Sequence, residues 1–136
     1  MTIYVLDSSA IIRYLDNEAG ADRVAAVLKM CVAGKAAVWI SAVQWGEVAG
    51  NLRIRFGASK ELSILSILAP SEAKIVPVSG DRAVRAADLK VDRKIPYADA
   101  FTLELAMDST EHILVTADYD FKSVADLARI EFLPVK

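Results

Sequence analysis

Short apolar segments recur along this chain, and each is followed by a stretch with helical character. The first, residues 3–7, runs through apolar residues and stops on the carboxylate of Asp7. Short continuous apolar runs rich in β-branched and aromatic residues are typical of strands buried on both faces of a parallel sheet. Their alternation with helices predicts a three-layer α/β/α sandwich around a mostly parallel sheet of four to five strands.

The expected strands cover residues 3–7, 36–41, 74–78, 112–116 and 129–133. The third is expected at an edge of the sheet, because Pro77 cannot donate to a strand ladder. Helices are expected at residues 9–15, 21–33, 42–56, 59–68, 81–89, 98–107 and 122–128, with Pro70 stopping the fourth. In the fifth helix, we expect Val84 and Ala87 to face the core, together with Val91 just beyond it.

Length and composition predict one globular domain over residues 1–136. The chain is 54% hydrophobic and 25% charged, which is not the profile of a disordered protein. A single cysteine, Cys31, excludes a disulfide framework, and no leader or membrane-spanning run is visible, so we expect a cytoplasmic protein. The formal net charge of −2 argues against a broad basic surface for nucleic acid, although bound cations would reverse the field of an acidic site.

The helix expected at residues 42–56 carries two apolar stripes. Trp45, Val48, Leu52 and Phe56 form one with helical spacing, and we expect this stripe to be spare for a partner. The opposite stripe surrounds Glu47, and a carboxylate in such a setting needs a partner such as a cation. Hydroxyl side chains are expected to cap helices, Ser41 this one and Ser8 or Ser9 the first.

Four carboxylates are expected at one edge of the sheet. Asp7 and Asp118 follow the first and fourth strands, and ligands bind where parallel strands end. Asp99 begins the helix before the fourth strand, and Glu47 lies early in the helix after the second. Taken singly, Asp7 could be a cap, Asp99 a helix starter favoured by the dipole, and Asp118 a turn residue. Glu47 has no comparable local explanation.

Clustered acids repel one another unless a cation lies among them, and carboxylate ligands suit Mg²⁺ or Mn²⁺. The single histidine, His112, is expected at the surface away from this edge, so the residues do not favour zinc. Neither a covalent nucleophile with its base nor a glycine-rich phosphate loop is visible. A carboxylate-bound cation with an activated water is suited to phosphodiester hydrolysis.

Four segments carry a resemblance to a known family: Asp7-Ser8-Ser9, Ser41-Ala42-Val43 with Glu47, residues 95–100, and residues 116–121. In this order the chain resembles PIN-domain ribonucleases, specifically the VapC toxins of VapBC toxin–antitoxin pairs. The resemblance implies strand order 3-2-1-4-5 and an endoribonuclease that uses Mg²⁺ or Mn²⁺. It also implies a homodimer and inhibition by a VapB antitoxin, which could insert a basic residue toward the acids.

Carried over by residue, the resemblance makes Asp7, Glu47, Asp99 and Asp118 the catalytic and metal-binding acids. Asp7 and Asp99 would be direct ligands, whereas Asp118 and Glu47 would act through water. The hydroxyls of Ser9 and Thr116 would position them, and Asp120 is either a fifth acid or the N-cap of the helix at Phe121. RNA contacts are expected from Arg13 and Arg93, against the alternative of a solvated face; the wider basic set is Arg13, Arg53, Arg55, Lys90, Arg93 and Lys94.

Three other interpretations stay open. The chain could be a PIN nuclease of RNA processing outside any toxin–antitoxin pair. It could be a receiver-like phosphoacceptor, which would need a strand-end lysine that only Lys136 could supply. It could also be a pure protein-interaction module that uses the Trp45 stripe.

Overall fold

The computed structural model describes residues 1–68 and 72–135. Pro70 and Lys136, on which two sequence-based interpretations rest, lie outside this range. The strands are β1 Ile3–Leu6, β2 Ala37–Ser41, β3 Lys74–Val76, β4 His112–Thr116 and β5 Arg129–Phe132. The helices are α1 Ser8–Leu15, α2 Ala21–Val32, α3 Ala42–Phe56, α4 Ala58–Leu68, α5 Gly80–Arg93 and α6 Tyr97–Ala106, and a 3₁₀ helix covers Tyr119–Val124.

The five strands form one sheet in the order β3-β2-β1-β4-β5, and every neighbouring pair is parallel. The predicted fold class, strand order and edge position of β3 are therefore confirmed. β1 is central, since Val5 is in register with Trp39 of β2 and with Leu114 of β4. The carboxyl ends of all strands consequently lie along one edge of the sheet. Asp7 follows β1 and Asp118 follows β4 at this edge.

Helices cover both faces of the sheet. Successive side chains of a strand point to opposite faces, so β1 contributes to a separate core on each side. Tyr4 and Leu6 of β1 pack into a core with α1, α2 and α3, whereas Val5 between them packs into a second core with α5 and α6. Among the residues that the structure describes, no helix has both the length and the apolar character needed to cross a membrane.

The Trp45 stripe of α3 is not spare, which corrects the sequence-based expectation. Val48 and Leu52 are 0% and 1% exposed in the core beneath α3, and Trp45 packs against the same core. Only Phe56, at the end of the helix, is 44% exposed. The periodicity found a buried face correctly, but it cannot tell a face buried within the chain from one buried by a partner.

The expectations for α5 are also corrected. Ala86, not Val84, is fully buried, and Val84 and Val91 are exposed. The helix continues to Arg93, beyond the expected end at residue 89, and stops at Lys94 in a left-handed conformation. The polar inner side of α5 explains the error, because Arg82 there pairs with the buried Glu104 of α6 and apolar spacing does not reveal such a contact.

His112 is buried, so its expected surface position is wrong. Its ring is 4% exposed, Nδ1 lies 3.0 Å from the carbonyl oxygen of Leu105, and the ring meets Trp39 edge-on at 5.0 Å. A hydrogen bond to the end of α6 and an aromatic neighbour make the burial of this polar ring acceptable. The expected helix at 122–128 is instead the 3₁₀ helix Tyr119–Val124, since Asp118 caps the turn earlier in the chain.

Candidate acidic active site

Asp7 lies directly after β1 and is 2% exposed. Its Oδ1 accepts hydrogen bonds from Ser9 Oγ at 2.7 Å and from Ala10 N at 2.9 Å, and its Oδ2 accepts one from Thr116 Oγ1 at 2.5 Å. The bond from Ala10 N makes Asp7 the N-cap of α1, so the expectation of a Ser8 or Ser9 cap is wrong. The predicted cap of α3 by Ser41 is confirmed.

Burial raises the pKa of Asp7 from its ordinary value to about 6. Hydrogen bonds from Thr116, Ser9 and the Ala10 amide stabilise the charged form and partly offset this effect, while the carboxylate of Asp118 raises the pKa further. The carboxyl group of Asp7 is therefore held rigidly, and burial disfavours its ionised form unless a counterion is bound.

Asp99 lies in the first turn of α6 and is half-buried. Burial raises its pKa to about 7, and the nearby carboxylates of Asp118, Asp7, Glu47 and Asp120 add to the rise in that order. All four predicted acids, from four separate elements, therefore lie in one electrostatic neighbourhood. Like charges that disfavour ionisation at neutral pH are typical of functional sites.

Asp118 and Thr116 connect the end of β4 to Asp7. Thr116 Oγ1, which donates to Asp7, accepts a hydrogen bond from Asp118 N at 2.9 Å. Oδ1 of Asp118 accepts from Asp120 N at 2.9 Å and caps the 3₁₀ helix, so the alternative of Asp120 as N-cap is wrong. Asp120 is exposed beside the site. The two predicted positioning hydroxyls, Ser9 and Thr116, both contact Asp7.

Glu47 is exposed on α3, and its Oε1 lies 3.5 Å from Ser8 Oγ. The apolar stripe expected around it does not bury it, because Gly50 is exposed and Ile54 is 89% exposed. Its position at the acidic edge follows from the helix start at Ala42, directly after β2. Glu47 thus faces solvent at the mouth of the site, whereas Asp7 lies at its base.

The donor set of this edge fits a hard divalent cation. Carboxylate oxygens are the ligands that Mg²⁺ and Mn²⁺ prefer, and in the described part of the chain none of the four acids forms an ion pair. Among the described residues, however, no group of three or more histidine, cysteine, aspartate or glutamate side chains stands as a ready-made metal site. The chemistry of these four carboxylates therefore fits a hard divalent cation.

The predicted RNA-contacting arginines are engaged within the chain. Arg13 donates to the carbonyl oxygens of Ala19 and Pro134, at 2.9 and 3.0 Å. Arg93 pairs with Asp126 at 2.7 Å and donates to the Ser123 carbonyl oxygen. In the wider basic set, Arg53 pairs with Glu61 and Arg55 with Asp16, whereas Lys90 and Lys94 are exposed. Contact of Arg13 or Arg93 with RNA stays a prediction.

Sequence reasoning missed Gln44, a buried polar residue between the acid-bearing segments. Its side chain is 1% exposed and hydrogen-bonds to Ser8 N and to the Ala98 carbonyl oxygen. One signal was available, because Gln44 precedes Val48 and Leu52 at helical spacing on the buried stripe of α3. A polar residue on a buried stripe requires a hydrogen-bond partner.

A parallel five-stranded sheet with four interacting carboxylates at its carboxyl edge defines an α/β protein with an acidic strand-end site. The family model of the PIN domain matches residues 4–127. The chain belongs to the PIN-domain family, as its sequence motifs predicted. Among curated proteins, no sequence matches it significantly.

Several solved structures share the fold, and VapBC proteins are among them. A chain of VapBC2 from Rickettsia felis, bound to a promoter DNA fragment, has a TM-score of 0.75 at 18% identity, covering 98% of this chain and 100% of its own. VapC20 of Mycobacterium tuberculosis, a toxin that cleaves the sarcin–ricin loop, has a TM-score of 0.71 at 20% identity, with 98% and 100% covered. A chain of FitAcB from Neisseria gonorrhoeae has a TM-score of 0.70 at 21% identity, with 94% and 96% covered.

Proposed function

We propose that this chain is a cytoplasmic, metal-dependent endoribonuclease toxin of the VapC type. The observation that carries the proposal is the convergence of Asp7, Asp99 and Asp118 with the exposed Glu47 at the carboxyl edge of the sheet, and the raised pKa of Asp99 agrees with it. Such mutual repulsion destabilises the fold unless a cation occupies the site. Membership of the PIN family and the fold shared with VapC20, an RNA-cleaving toxin, support RNA as the substrate.

Asp7, Glu47, Asp99 and Asp118 would hold Mg²⁺ or Mn²⁺, with Asp7 and Asp99 as direct ligands and the other two acting through water. When bound, the cation would polarise the phosphodiester and lower the pKa of a water molecule. The chain's own residues provide orientation. Thr116 and Ser9 hold both oxygens of Asp7 in place. Glu47, which is exposed, would orient water at the mouth of the site.

The first test is cleavage of total cellular RNA by the purified protein, with Mg²⁺ or Mn²⁺ and then with EDTA. We expect cleavage that requires the metal and falls by at least about 100-fold in Asp99→Asn, since loss of one charge-stabilising group costs about this factor. Asp81→Asn is the matched control, because Asp81 also lies in the first turn of a helix, α5, and none of the interactions of the site involves it.

A narrow substrate could escape detection in bulk RNA, so growth on expression is the second measurement. Growth arrest that requires Asp99 but not Asp81 supports the proposal. If the folded wild-type protein neither cuts RNA with either metal nor arrests growth, the proposed nuclease function is wrong.

We further propose a VapB-type antitoxin as partner, as in the VapBC complexes that share the fold. A groove of about 790 Å³ supports this proposal. Its lining is mainly apolar and comes from four helices, including Tyr14 of α1, Val32 of α2, Phe56 of α3 and Ile67 of α4. An amphipathic antitoxin segment could dock in such a groove, with a basic side chain directed toward the acids.

The docking proposal predicts a neighbouring reading frame that encodes a small DNA-binding protein, and the product of that reading frame is used to test it. Ile67→Asp should weaken inhibition of RNA cleavage by that protein, because it puts a charge into the groove. Leu62→Asp is the matched control, since Leu62 lies on the same helix with nearly the same exposure, 69% against 72%, but outside the groove. Equal inhibition of both variants would exclude the groove, and the lack of any such inhibitor would favour an RNA-processing nuclease.

Homodimer formation is also proposed, with the exposed apolar residues Val84 and Val91 of α5 as the surface that supports it. Both are at least 61% exposed, although they are large aliphatic side chains. Light scattering should give a dimer for the wild type and a monomer for Val91→Asp. A wild-type monomer at micromolar concentration would contradict the proposal.

A further inference from the structure

Gln44 is a buried primary amide with both ends hydrogen-bonded. Its Oε1 accepts a hydrogen bond from Ser8 N at 2.7 Å, and its Nε2 donates one to the carbonyl oxygen of Ala98, also at 2.7 Å. The side chain is 1% exposed. Since water does not reach it, these two contacts fix the orientation of the amide.

Each of these contacts lies next to an acid of the candidate site. Ser8 directly follows Asp7, and its N–H is one of the helix-start donors that lack an intrahelical partner. Ala98 directly precedes Asp99 in the first turn of α6. Gln44 itself lies one turn before Glu47 on α3. A single side chain therefore links the backbone segments that carry three of the four acids.

Packing alone does not call for glutamine at this position. Val48 and Leu52 continue the same stripe of α3 with apolar side chains that are fully buried. A buried amide loses its hydration and needs good hydrogen-bond geometry to offset that loss. What it provides here is a fixed distance between the start of α1, the start of α6 and the side chain of α3 that carries Glu47.

We propose that Gln44 is a positioning residue that sets the spacing of Asp7, Glu47 and Asp99 for the cation of the nuclease. This inference rests on the proposed function and deepens it. Gln44 touches neither substrate nor cation, and it acts through the backbone on either side of two ligands. Residues that orient metal ligands typically change metal affinity by about 10- to 100-fold when they are replaced.

The test compares Mn²⁺ binding to the metal-free protein by calorimetry. Gln44→Met keeps the length of the side chain and removes both hydrogen bonds, and we expect its Mn²⁺ affinity to fall at least about 10-fold. Gln44→Asn keeps an amide that is one methylene too short to make both bonds at once, so the same direction is expected. If Gln44→Met does not fold, Gln44→Asn provides the test of the positioning role.

Arg82→Met is the control for lost stability, because it breaks a buried contact at the other end of α6. Its Mn²⁺ affinity should stay within about twofold of the wild type, although its stability falls. Hydrogen exchange of the Ser8 amide gives a readout independent of metal and activity. In both Gln44 variants, exchange should accelerate by more than their loss of global stability accounts for, whereas in Arg82→Met it should rise by no more than that loss accounts for.

The outcomes separate this inference from the proposed function. Wild-type Mn²⁺ binding with unchanged affinity in folded Gln44 variants would overturn the positioning role and leave the nuclease proposal intact. A wild-type protein that binds no Mn²⁺ would overturn both. An equal loss of affinity in Arg82→Met would show that Gln44 acts only through overall stability, which also overturns the positioning role.

Discussion

The carboxyl group of Asp99 illustrates how much a functional residue can oppose folding. Its pKa is raised to about 7 because of burial and four neighbouring carboxylates, whereas an unfolded aspartate titrates near 3.8. The folded state thus binds more protons than the unfolded state between these two values. As the pH rises through this window, the free energy of unfolding decreases, and the loss is complete above the folded pKa.

We therefore predict that Asp99→Asn stabilises the metal-free protein at pH 7.5. Asparagine stays neutral, so it avoids the ionisation that the site disfavours. The gain should be on the order of 1 kcal/mol, since Asp99 is only half-buried and solvent screens its charge. Urea denaturation in EDTA at pH 7.5 and at pH 4 measures it.

At pH 4 the difference between Asp99→Asn and the wild type should largely disappear, because the wild-type carboxyl is then protonated in the folded state. Asp81→Asn, at an exposed helix start, should show no such gain at pH 7.5. A variant less stable than the wild type at pH 7.5 would contradict the raised pKa.

Single residues were predictable from sequence when their role depended on strand ends. Asp7 and Asp118 follow apolar runs, and the topology alone brings them to one edge. Gln44 and His112 were not predictable in the same way, because their burial and their hydrogen bonds to Ala98 and Leu105 depend on how helices and strands pack. Periodicity shows which face of a helix is buried, but it does not show which residues pack against that face.

Among the helices, α5 and α6 are joined by ion pairs. Arg82 of α5 donates to both carboxylate oxygens of Glu104 at 2.8 Å and to Asp108 at 2.7 Å. Glu104 is 4% exposed, and besides Arg82 it has only a longer ion pair, 3.5 Å, with the more exposed Arg85. Removing the main partner of a buried charge leaves that charge poorly compensated.

Arg82→Met should therefore lower the free energy of unfolding by about 3 kcal/mol. Arg23→Met removes a bidentate pair with Glu131 of similar geometry, but those side chains are 40% and 32% exposed, so the loss there should be below about 1 kcal/mol. Urea denaturation of both variants at pH 7 gives the comparison. Equal losses would mean that the burial of Glu104 does not decide the effect.

The turn before α2 depends on Gly20, which has a φ of 90°. A Cβ at this position would lie 2.8 Å from Cβ of Leu133, a buried residue after β5. Leu133 is held there by its own backbone bond to Thr116 and by the hydroxyl of Tyr119, which donates to its carbonyl oxygen. The C-terminal segment therefore cannot retreat easily from a new methyl group.

Gly20→Ala should cost about 3 kcal/mol or more, from left-handed strain together with overpacking against Leu133. Gly34→Ala is the matched control, because its φ is 73° and no atom lies within 4 Å of the added Cβ, so only strain of about 1 kcal/mol applies. Thermal denaturation of the two variants measures the difference. A similar loss in both would show that Leu133 yields.

Helix and strand existence followed from the sequence, but several boundaries did not. α5 runs on to Arg93, whose side chain reaches Asp126 and the carbonyl of Ser123. The last helical segment is a 3₁₀ turn, capped by Asp118, where a helix at 122–128 was expected. The contacts of Arg93 join segments about 30 residues apart, which local patterns do not contain. The start of the 3₁₀ helix is instead set by a local cap, because Asp118 accepts from the amide of Asp120.

At the scale of the whole molecule, a cation bound at the acidic edge should stabilise the fold. A ligand that binds only the folded state adds about 2.7 kcal/mol when its concentration is 100 times its Kd. We expect Mn²⁺ or Mg²⁺ to raise the Tm of the wild type, EDTA to reverse the rise, and Asp99→Asn to lose most of it. Differential scanning calorimetry tests this, and an unchanged Tm at millimolar metal would contradict a cation site.

The order of strands across the sheet also determines when the site can exist. β1 lies at the centre, and its second neighbour, β4, is made only after residue 112. During synthesis at about 5 to 20 residues per second, Asp7 leaves the ribosome seconds before Asp99 and Asp118 follow it. A growing chain therefore keeps the acids apart until the segment that carries β4 and Asp118 has been made. The proposed nuclease should thus be inert until β4 has paired with β1.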